Sequence, residues 1–471
     1  MDLRRNPAGL TGTCALVTMP TRRWSVRWPV FVAPCLLAGA GLAQDPPAAT
    51  GGSRRAALER AATAGPPSPE AAGDASLGTQ TGPLRLTELS LDVMAAAGTS
   101  TERDSVLGDL KGGAHDPRKR GFTLQQAELS IAGAVDPWFQ AKMYMITSLD
   151  PDEGETVVEL EEAYLTTSQL PADLQVKAGT YFTEFGRINP THPHGWDWQD
   201  QPVIHTRVFG GDGMRGPGAR VSWLLPTAQY GELFLGVQNA NGETMASFLA
   251  NEEVYEERPV GGRQFSEREV RSAGDLVWSL RAATSYDLSD TSSLGLGASA
   301  LFGPNATGGD GETMVYGADF VFRWRPVENR RGYPFVKLQG EFVARAFETA
   351  EQTDASDPLA PVTLPGETLD DQGGYLQGLY GFAEGLAAGV RVDLATGSGD
   401  SYQGGGAFGR DADPFRTDRL RVSPLLVWQP SEFSRVRLQY DFDDSDHLDD
   451  EVHSVWLGFE VLIGSHPPHS Y

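Results

Sequence analysis

From Leu84 onward the chain alternates apolar and polar residues with a period of two. Leu89, Leu91, Val93 and Ala95 stand against Glu88, Ser90, Asp92 and Met94. Ala127, Leu129, Ile131 and Gly133 oppose Glu128, Ser130 and Ala132, and Phe139, Ala141, Met143 and Met145 oppose Gln140, Lys142 and Tyr144. Further on, Val336, Leu338, Phe342 and Ala344 face away from Lys337, Gln339, Glu341 and Arg345. The same pattern sets Val436, Leu438, Tyr440 and Phe442 against Arg435, Arg437, Gln439 and Asp441, and closes with Val455, Leu457, Phe459, Val461 and Ile463. A period of two is that of a strand, not of a helix. About sixteen such segments follow one another.

Their connections alternate in length. Short ones carry turn chemistry: Val135–Pro137, Gln169–Asp173, Pro226–Tyr230, Ser289–Thr291, Pro326–Gly332, Ala383–Gly385 and Pro430–Phe433. Between them lie long ones: Gly98–Arg120, Asp150–Glu155, Gly186–Gly218, Ala240–Ser272, Pro304–Gly311, Phe347–Gln372, Thr396–Pro414 and Asp443–Glu451. Membrane barrels of bacterial outer membranes sort their loops in this way, and only a closed barrel lets strands satisfy their backbone in lipid. The predicted fold is therefore an all-β, antiparallel transmembrane barrel over residues 83–471, apolar outside and water-filled inside. Trp138, Tyr181, Trp223, Tyr286, Trp324, Trp428 and Trp456, near strand ends, are read as interfacial girdles.

The chain is arranged around one segment, Leu174–Leu225: a strand (Leu174–Phe185), a polar loop (Gly186–Gly218) and a return strand (Ala219–Leu225). That loop is too long for a hairpin and dense in Gly, Pro, His, Asp and Trp, so it reads as an ordered loop folded into the lumen.

Composition narrows the class. The 471 residues carry a net charge of −25, which argues against nucleic-acid binding because that needs basic patches. Arg22, Arg23 and Arg27 precede the apolar run Val30–Leu42, a secretory leader over residues 1–43. Met19 would give a leader of conventional length and is the expected start. Both cysteines, Cys14 and Cys35, fall in this leader, so the mature chain has no thiol chemistry. Residues 44–82 are rich in Ala, Pro and Gly and read as a flexible periplasmic segment. No later stretch reaches the roughly 18 apolar residues of a membrane helix. Together these features place the protein in the outer membrane of a Gram-negative-type bacterium, with lipid, lipopolysaccharide and the barrel-assembly machinery as partners.

Three sets of residues carry candidate chemistry. In the loop, Arg187, Asp197, Asp200 and Arg207 are candidates for a pore constriction. His192 and His194 share a face of extended chain and, with Asp197 or His205, could ligate zinc or another divalent ion; the competing reading is a polar lining that ties the loop to the wall. On the strands, Lys142, Lys177, Arg281, Arg323, Arg325, Lys337, Arg345, Arg391, Arg419, Arg421, Arg435 and Arg437 face the lumen with Glu128, Glu159, Glu161, Asp319, Glu341, Asp393 and Asp441. These form either opposed charged walls, which orient solutes, or mutually neutralising pairs. The acidic stretch Asp441–Glu451 reads as a solvated external loop, with a cation bridge to lipopolysaccharide as the alternative. No resident cofactor is implied. For an enzyme, His453 and Ser454 adjoin but point to opposite faces of a strand, and no nucleophile–base–orienter set is legible.

FTLQQAELSIAGAVDPWFQAKM, ELEEAYLTTSQLP, VKAGTYFTEFGRINPTHPH and HSVWLGFEVLIG, spanning roughly Phe122–Gly464, resemble the phosphate-selective porin O/P-like family. The resemblance implies a sixteen-stranded porin, often a homotrimer, with an inward-folded third loop. The arginine ladder and lysine cluster that the family associates with phosphate have no residue-by-residue match, so phosphate specificity is not carried over. Outer-membrane barrels commonly close on an aromatic residue of the last strand; here Tyr471 follows Pro467 and Pro468. The function expected is passive diffusion of small hydrophilic solutes or ions. The runner-up is a ligand- or metal-binding receptor using the His-containing loop.

Overall fold

The computed structural model describes residues 85–150, 154–354, 359, 361–399 and 413–465. The expected leader, the segment 44–82 and Tyr471 lie outside them, as does part of the connection Thr396–Pro414.

Sixteen antiparallel strands close into one barrel. They are β1 (Arg85–Ser100), β2 (Gly121–Ala134), β3 (Phe139–Leu149), β4 (Thr156–Thr167), β5 (Leu174–Phe182), β6 (Arg215–Leu224), β7 (Tyr230–Asn239) and β8 (Leu276–Ser289). They continue as β9 (Ser292–Pro304), β10 (Glu312–Trp324), β11 (Phe335–Glu348), β12 (Thr368–Ala383), β13 (Leu386–Ser398), β14 (Arg419–Ser431), β15 (Ser434–Ser445) and β16 (Val452–Ser465). Each strand pairs with its sequence neighbour, and β16 closes on β1 with Leu91 opposite Ile463 and Val93 opposite Val461. Closure leaves no strand edge unpaired, which is what a sheet in lipid requires. Three short helices, α1 (Asp104–Leu110), α2 (Val203–Phe209) and α3 (Glu252–Glu257), lie in long loops. A small hairpin pairs Gln352–Asp354 with Val362–Leu364. Among the described residues no helix is long and apolar enough to cross a membrane.

Short turns gather at one end of the barrel and long loops at the other. At the first turn the Asp136 carboxylate accepts from the backbone N–H groups of Trp138 and Phe139, at 2.7 and 2.9 Å, which is why Asp-Pro suffices to reverse the chain. Along β15, Arg435, Arg437, Gln439, Asp441 and Asp443 are buried while Leu438 and Tyr440 are exposed. Ile463 is 64% exposed and Phe342 51%, and comparable side chains cover the whole outer face. Such a continuous apolar belt around a closed barrel is a lipid surface. The protein is an outer-membrane β-barrel.

Several boundaries and faces differ from the sequence reading. β5 ends at Phe182 and β6 begins at Arg215, so the infolded loop is 183–214 rather than 186–218. The reason is that Gly216, Pro217 and Gly218, loop-like in composition, pair with Tyr181, Thr180 and Gly179 in the ladder. Two of the expected girdle residues face inward: Tyr181 is 1% exposed and Trp456 0%. They share strand parity with Lys177 and Glu460, on the lumen side, whereas Trp138, Trp223, Tyr286 and Trp428 are exposed outside. β15 runs on to Ser445, so Asp441 and Asp443 belong to the lumen wall and not to an external acidic loop.

The lumen is also less wet than its strand pattern suggests. Phe185, Val203, Ile204, Val208, Phe209 and Met214 of the infolded loop pack with Met245, Phe248 and Leu249 of the loop after β7. They meet Val277, Leu301, Val315, Val343 and Ala395 from the inner wall in one buried apolar cluster. The expectation of a water-filled interior is corrected at this level: loops bring their own apolar residues inside, and the wall supplies small aliphatic positions to receive them.

The infolded loop and the lumen charges

The loop is stapled at its root. Asn189 donates to the backbone oxygens of Thr183 and Met214, at 2.8 and 3.0 Å, and accepts from the Met214 N–H at 2.7 Å, so its two limbs enter the lumen together. Gly186 turns the chain with φ of 59°, where an L side chain is strained, and an added Cβ would run into the Glu341 carboxylate. Glu341 accepts from the Ile188 N–H at 2.9 Å and from the Tyr375 hydroxyl at 2.7 Å.

From there the loop crosses to the opposite wall. Asp197 meets Lys337 at 2.9 Å and accepts from Gln377 at 2.9 Å. Trp198 enters an apolar pocket of Phe335, Leu379, Leu425 and Val427, and its indole N–H donates to the Ser423 carbonyl at 2.8 Å. Arg437 donates to the carbonyls of Trp196 and Trp198, both at 3.1 Å, while Arg435 donates to that of His194 at 2.6 Å. Both arginines are held by Glu460, at 2.5 Å for Arg435 and 3.1 Å for Arg437.

Asp200 sits where three cations converge. Its carboxylate contacts Lys111 at 2.6 Å, Arg391 at 2.8 Å and Arg421 at 2.8 Å, and accepts from Gln439 at 2.8 Å. Its side chain is 0% exposed. The cations are shared onward: Lys111 with Asp441 at 2.6 Å, Arg391 with Asp393 at 2.8 Å, and Arg421 with Asp443 at 2.8 Å, which Arg419 also reaches at 2.8 Å. Four cations and four carboxylates thus balance. A buried network of this kind holds geometry because any missing member leaves an uncompensated charge.

Of the proposed constriction residues, Asp197 and Asp200 lie in these buried pairs. Arg187 pairs with Asp319 at 2.8 Å, and Arg207 donates to the Thr417 carbonyl at 2.7 Å with Asp371 at 3.9 Å. On the walls, Lys142 pairs with Glu88 at 3.3 Å and Lys177 with Glu184 at 3.2 Å. Arg345 pairs with Asp371 at 2.5 Å, and Glu159 with Arg215. Arg281 pairs with Asp319 at 2.7 Å. Charges are therefore neutralised locally over much of the lumen. Arg323 and Arg325 are half-buried near the short-turn end.

The three histidines do not converge. His205 lies 3.3 Å from Glu341, against Phe209 and Tyr375. His192 and His194 stack, with ring centroids 5.6 Å apart, and meet a different set of carboxylates: Glu128, Glu161 and Glu162. Glu161 and Glu162 both point inward because of a bulge: Tyr144 opposes Glu162 and Met145 opposes Leu160, leaving Glu161 as the extra residue. A second bulge, between Met94–Gln126 and Ala95–Leu124, sends both Gln125 and Gln126 inside. His453 and Ser454 sit on opposite faces, with His453 bonded to Tyr440 and Ser454 to Ser100.

Sequence reasoning did not find Lys111, Glu162, Asp371, Arg416 or Glu460 as site residues. Glu162 is hidden by its bulge, and Lys111 lies in an external loop that dips inside. Glu460 was legible by strand parity, whereas Asp371 fell inside the expected connection Phe347–Gln372, which the strand beginning at Thr368 shortens.

At the long-loop end a cleft of about 270 Å³ is lined by Arg118, Arg207, Arg258, Arg345 and Arg416, with Asp212, Asp413, Glu243 and Glu257. Asp275 and His447 are among the titrating groups outside the membrane-spanning strands. Hydrogen bonds from Arg268 and Ser272 hold the Asp275 carboxyl down to about 2. Burial, then the positive charge of Arg419, lowers the imidazole of His447 below its ordinary value.

No family profile matches the chain. An uncharacterized protein of Aquifex aeolicus is 30% identical over 373 residues, covering 75% of this chain and 71% of that protein. Among solved structures, the anion-selective porin of Comamonas acidovorans aligns with a TM-score of 0.49 at 10% identity, over 81% of this chain and 100% of that one. The outer-membrane channel DcaP of Acinetobacter baumannii aligns at 0.47 and 12% identity, over 81% of this chain and 97% of that one.

Proposed function

Because the chain belongs to one family with the Aquifex aeolicus protein and spans the outer membrane as a sixteen-stranded barrel, we propose that it is a porin-type channel for small hydrophilic solutes, with a preference for anions. The observation that carries the proposal is the infolded loop: it lies across the lumen and is fastened by ion pairs rather than by covalent or sheet continuity. Such fastening can be released locally, whereas a strand of the wall cannot be. The loop reaches from β5 to the wall residues around Asp200, so its release would widen the passage. The preference follows from the two mouths. The outer cleft carries five arginines and four carboxylates. Toward the short-turn end, half-buried Lys142, Lys177, Arg187, Arg323 and Arg325 stand with Glu88, Glu184 and the buried Asp319. Excess arginine and lysine lining a passage favours anions, even in an acidic chain.

The test is single-channel recording in planar bilayers under a salt gradient. Discrete ohmic openings with a reversal potential displaced toward that of chloride are expected. A correctly folded barrel that never conducts would overturn the proposal, and a reversal potential on the cation side would overturn its selectivity. Burial of Asp200 and the apolar cluster favours one second reading, a closed barrel that binds a ligand as a receptor. That reading expects saturable ligand binding without conductance.

A further inference from the structure

The clamp around Asp200 leaves a second buried polar cluster to be explained. Glu128 of β2, Glu161 and Glu162 of β4, Asp92 of β1, and His192 and His194 of the loop come together in the lumen, all buried. His192 Nδ1 lies 2.7 Å from Glu161 Oε2 and 3.2 Å from Glu128 Oε2. Neither approach has hydrogen-bond geometry: His192 Nδ1 and Glu161 Oε2 are both without a hydrogen-bond partner. On its other side, His192 Nε2 lies 2.9 Å from Glu162 Oε2. His194 Nδ1 lies 3.2 Å from Glu128 Oε2. Asp92, 2% exposed, has a carboxylate of which neither oxygen is hydrogen-bonded, and Glu128 and His194 are among its charged neighbours.

The charge does not balance. Asp92, Glu128, Glu161 and Glu162 oppose two imidazoles, so negative charge remains even with both imidazoles protonated. Lys142 and Arg435, on the neighbouring walls, are engaged by Glu88 and Glu460. Buried carboxylates in excess call for a cation. The arrangement of His192 suits a metal better than a second proton. With Nε2–H donated to Glu162, the tautomer is fixed and Nδ1 presents a lone pair toward Glu128 and Glu161, which is how carboxylates orient metal-bound histidines.

We propose that His192 Nδ1, Glu128 Oε2 and Glu161 Oε2 bind one divalent transition-metal ion of the zinc class, which pins the infolded loop to β2 and β4. The three atoms lie within 4.8 Å of one another. Around tetrahedral zinc, with bonds of about 2.0–2.1 Å, ligand atoms stand about 3.3 Å apart. The contacts at 2.7 and 3.2 Å therefore need to open by about 0.6 and 0.1 Å to reach that spacing. One imidazole with carboxylates is a borderline donor set, suited to zinc or manganese rather than to calcium, which takes six to eight oxygens. Glu162 is the positioning residue, and the bulge at Glu161 is what places both carboxylates on one face. The site goes beyond the channel reading and does not depend on conduction.

The experiment is calorimetric titration of the chelator-treated, detergent-solubilised barrel with zinc chloride, its fold checked by heat-modifiable migration on SDS gels. One equivalent is expected, with a dissociation constant of about 1 μM or tighter. H192A and E161Q each weaken it by about 100-fold, and E162Q, which keeps all three ligands, by roughly 10-fold. H453A, on the outer face, leaves it unchanged. Should H192A misfold, zinc-edge absorption of the unaltered protein decides, with one imidazole and otherwise oxygen ligands expected. No saturable binding by folded protein at about 100 μM zinc, unchanged affinity in folded H192A, or a spectrum without imidazole would overturn the proposal.

Discussion

Replacing Asp200 by Asn keeps the shape of the side chain and removes its charge. Lys111, Arg391 and Arg421 then retain one carboxylate each, Asp441, Asp393 and Asp443. The four-against-four balance becomes one buried positive charge in excess. Removing one partner of a buried ion pair costs about 3–5 kcal/mol, because the remaining charge is left without compensation. At 1.4 kcal/mol per decade that shifts the equilibrium between fastened and released loop by roughly two to four orders of magnitude. The loop is still held by Asp197–Lys337, by Trp198 in its pocket and by Arg437, so local release rather than unfolding is expected. Planar-bilayer recording should show D200N with a higher open probability than the parent protein. The double variant D200N/K111M restores the balance and should move open probability back toward the parent value, a coupling that a double-mutant cycle reads directly. Identical open probability in folded D200N and parent protein would refute the claim that this network fastens the loop.

Four further outcomes are expected. R437A removes two hydrogen bonds to the loop backbone and leaves Glu460 with Arg435 alone, and should lower the temperature of heat-modifiable unfolding by the equivalent of about 3–5 kcal/mol. G186A places a Cβ against Glu341 at φ of 59° and should cost about 1–3 kcal/mol, read in the same assay, with a matching rise in protease cleavage within 183–214. Phe342 lies near the middle of β11 on the lipid face, so F342R should cost about 2–4 kcal/mol in folding equilibria measured in lipid. His447 is a base whose value is lowered in the folded state, so its stabilising contribution is full above 6.5 and is lost as pH falls below 6.5 toward its own lower value. An imidazole proton resonance of His447 titrating clearly below 6.5 would confirm this, and one at or above 6.5 would contradict it.

The alternation of residues by itself determined the barrel. Turn chemistry and loop lengths fixed how the strands follow one another, and parity told which side chains face inward, because a pleated strand presents successive residues to opposite faces. Arg435, Arg437, Asp441 and Glu341 were legible as lumen residues for that reason alone. Parity says nothing about partners. Asp200 meets Lys111, Arg391, Arg421 and Gln439, which closure brings together from distant stretches of chain. Nor does parity survive a bulge, so Glu162 and Gln125 came inside unannounced. Whether the lumen is wet or packed was likewise a tertiary matter. It depends on whether Phe185, Ile204, Phe209 and Phe248, carried on loops, find apolar positions on the inner wall, and local sequence does not encode that fit.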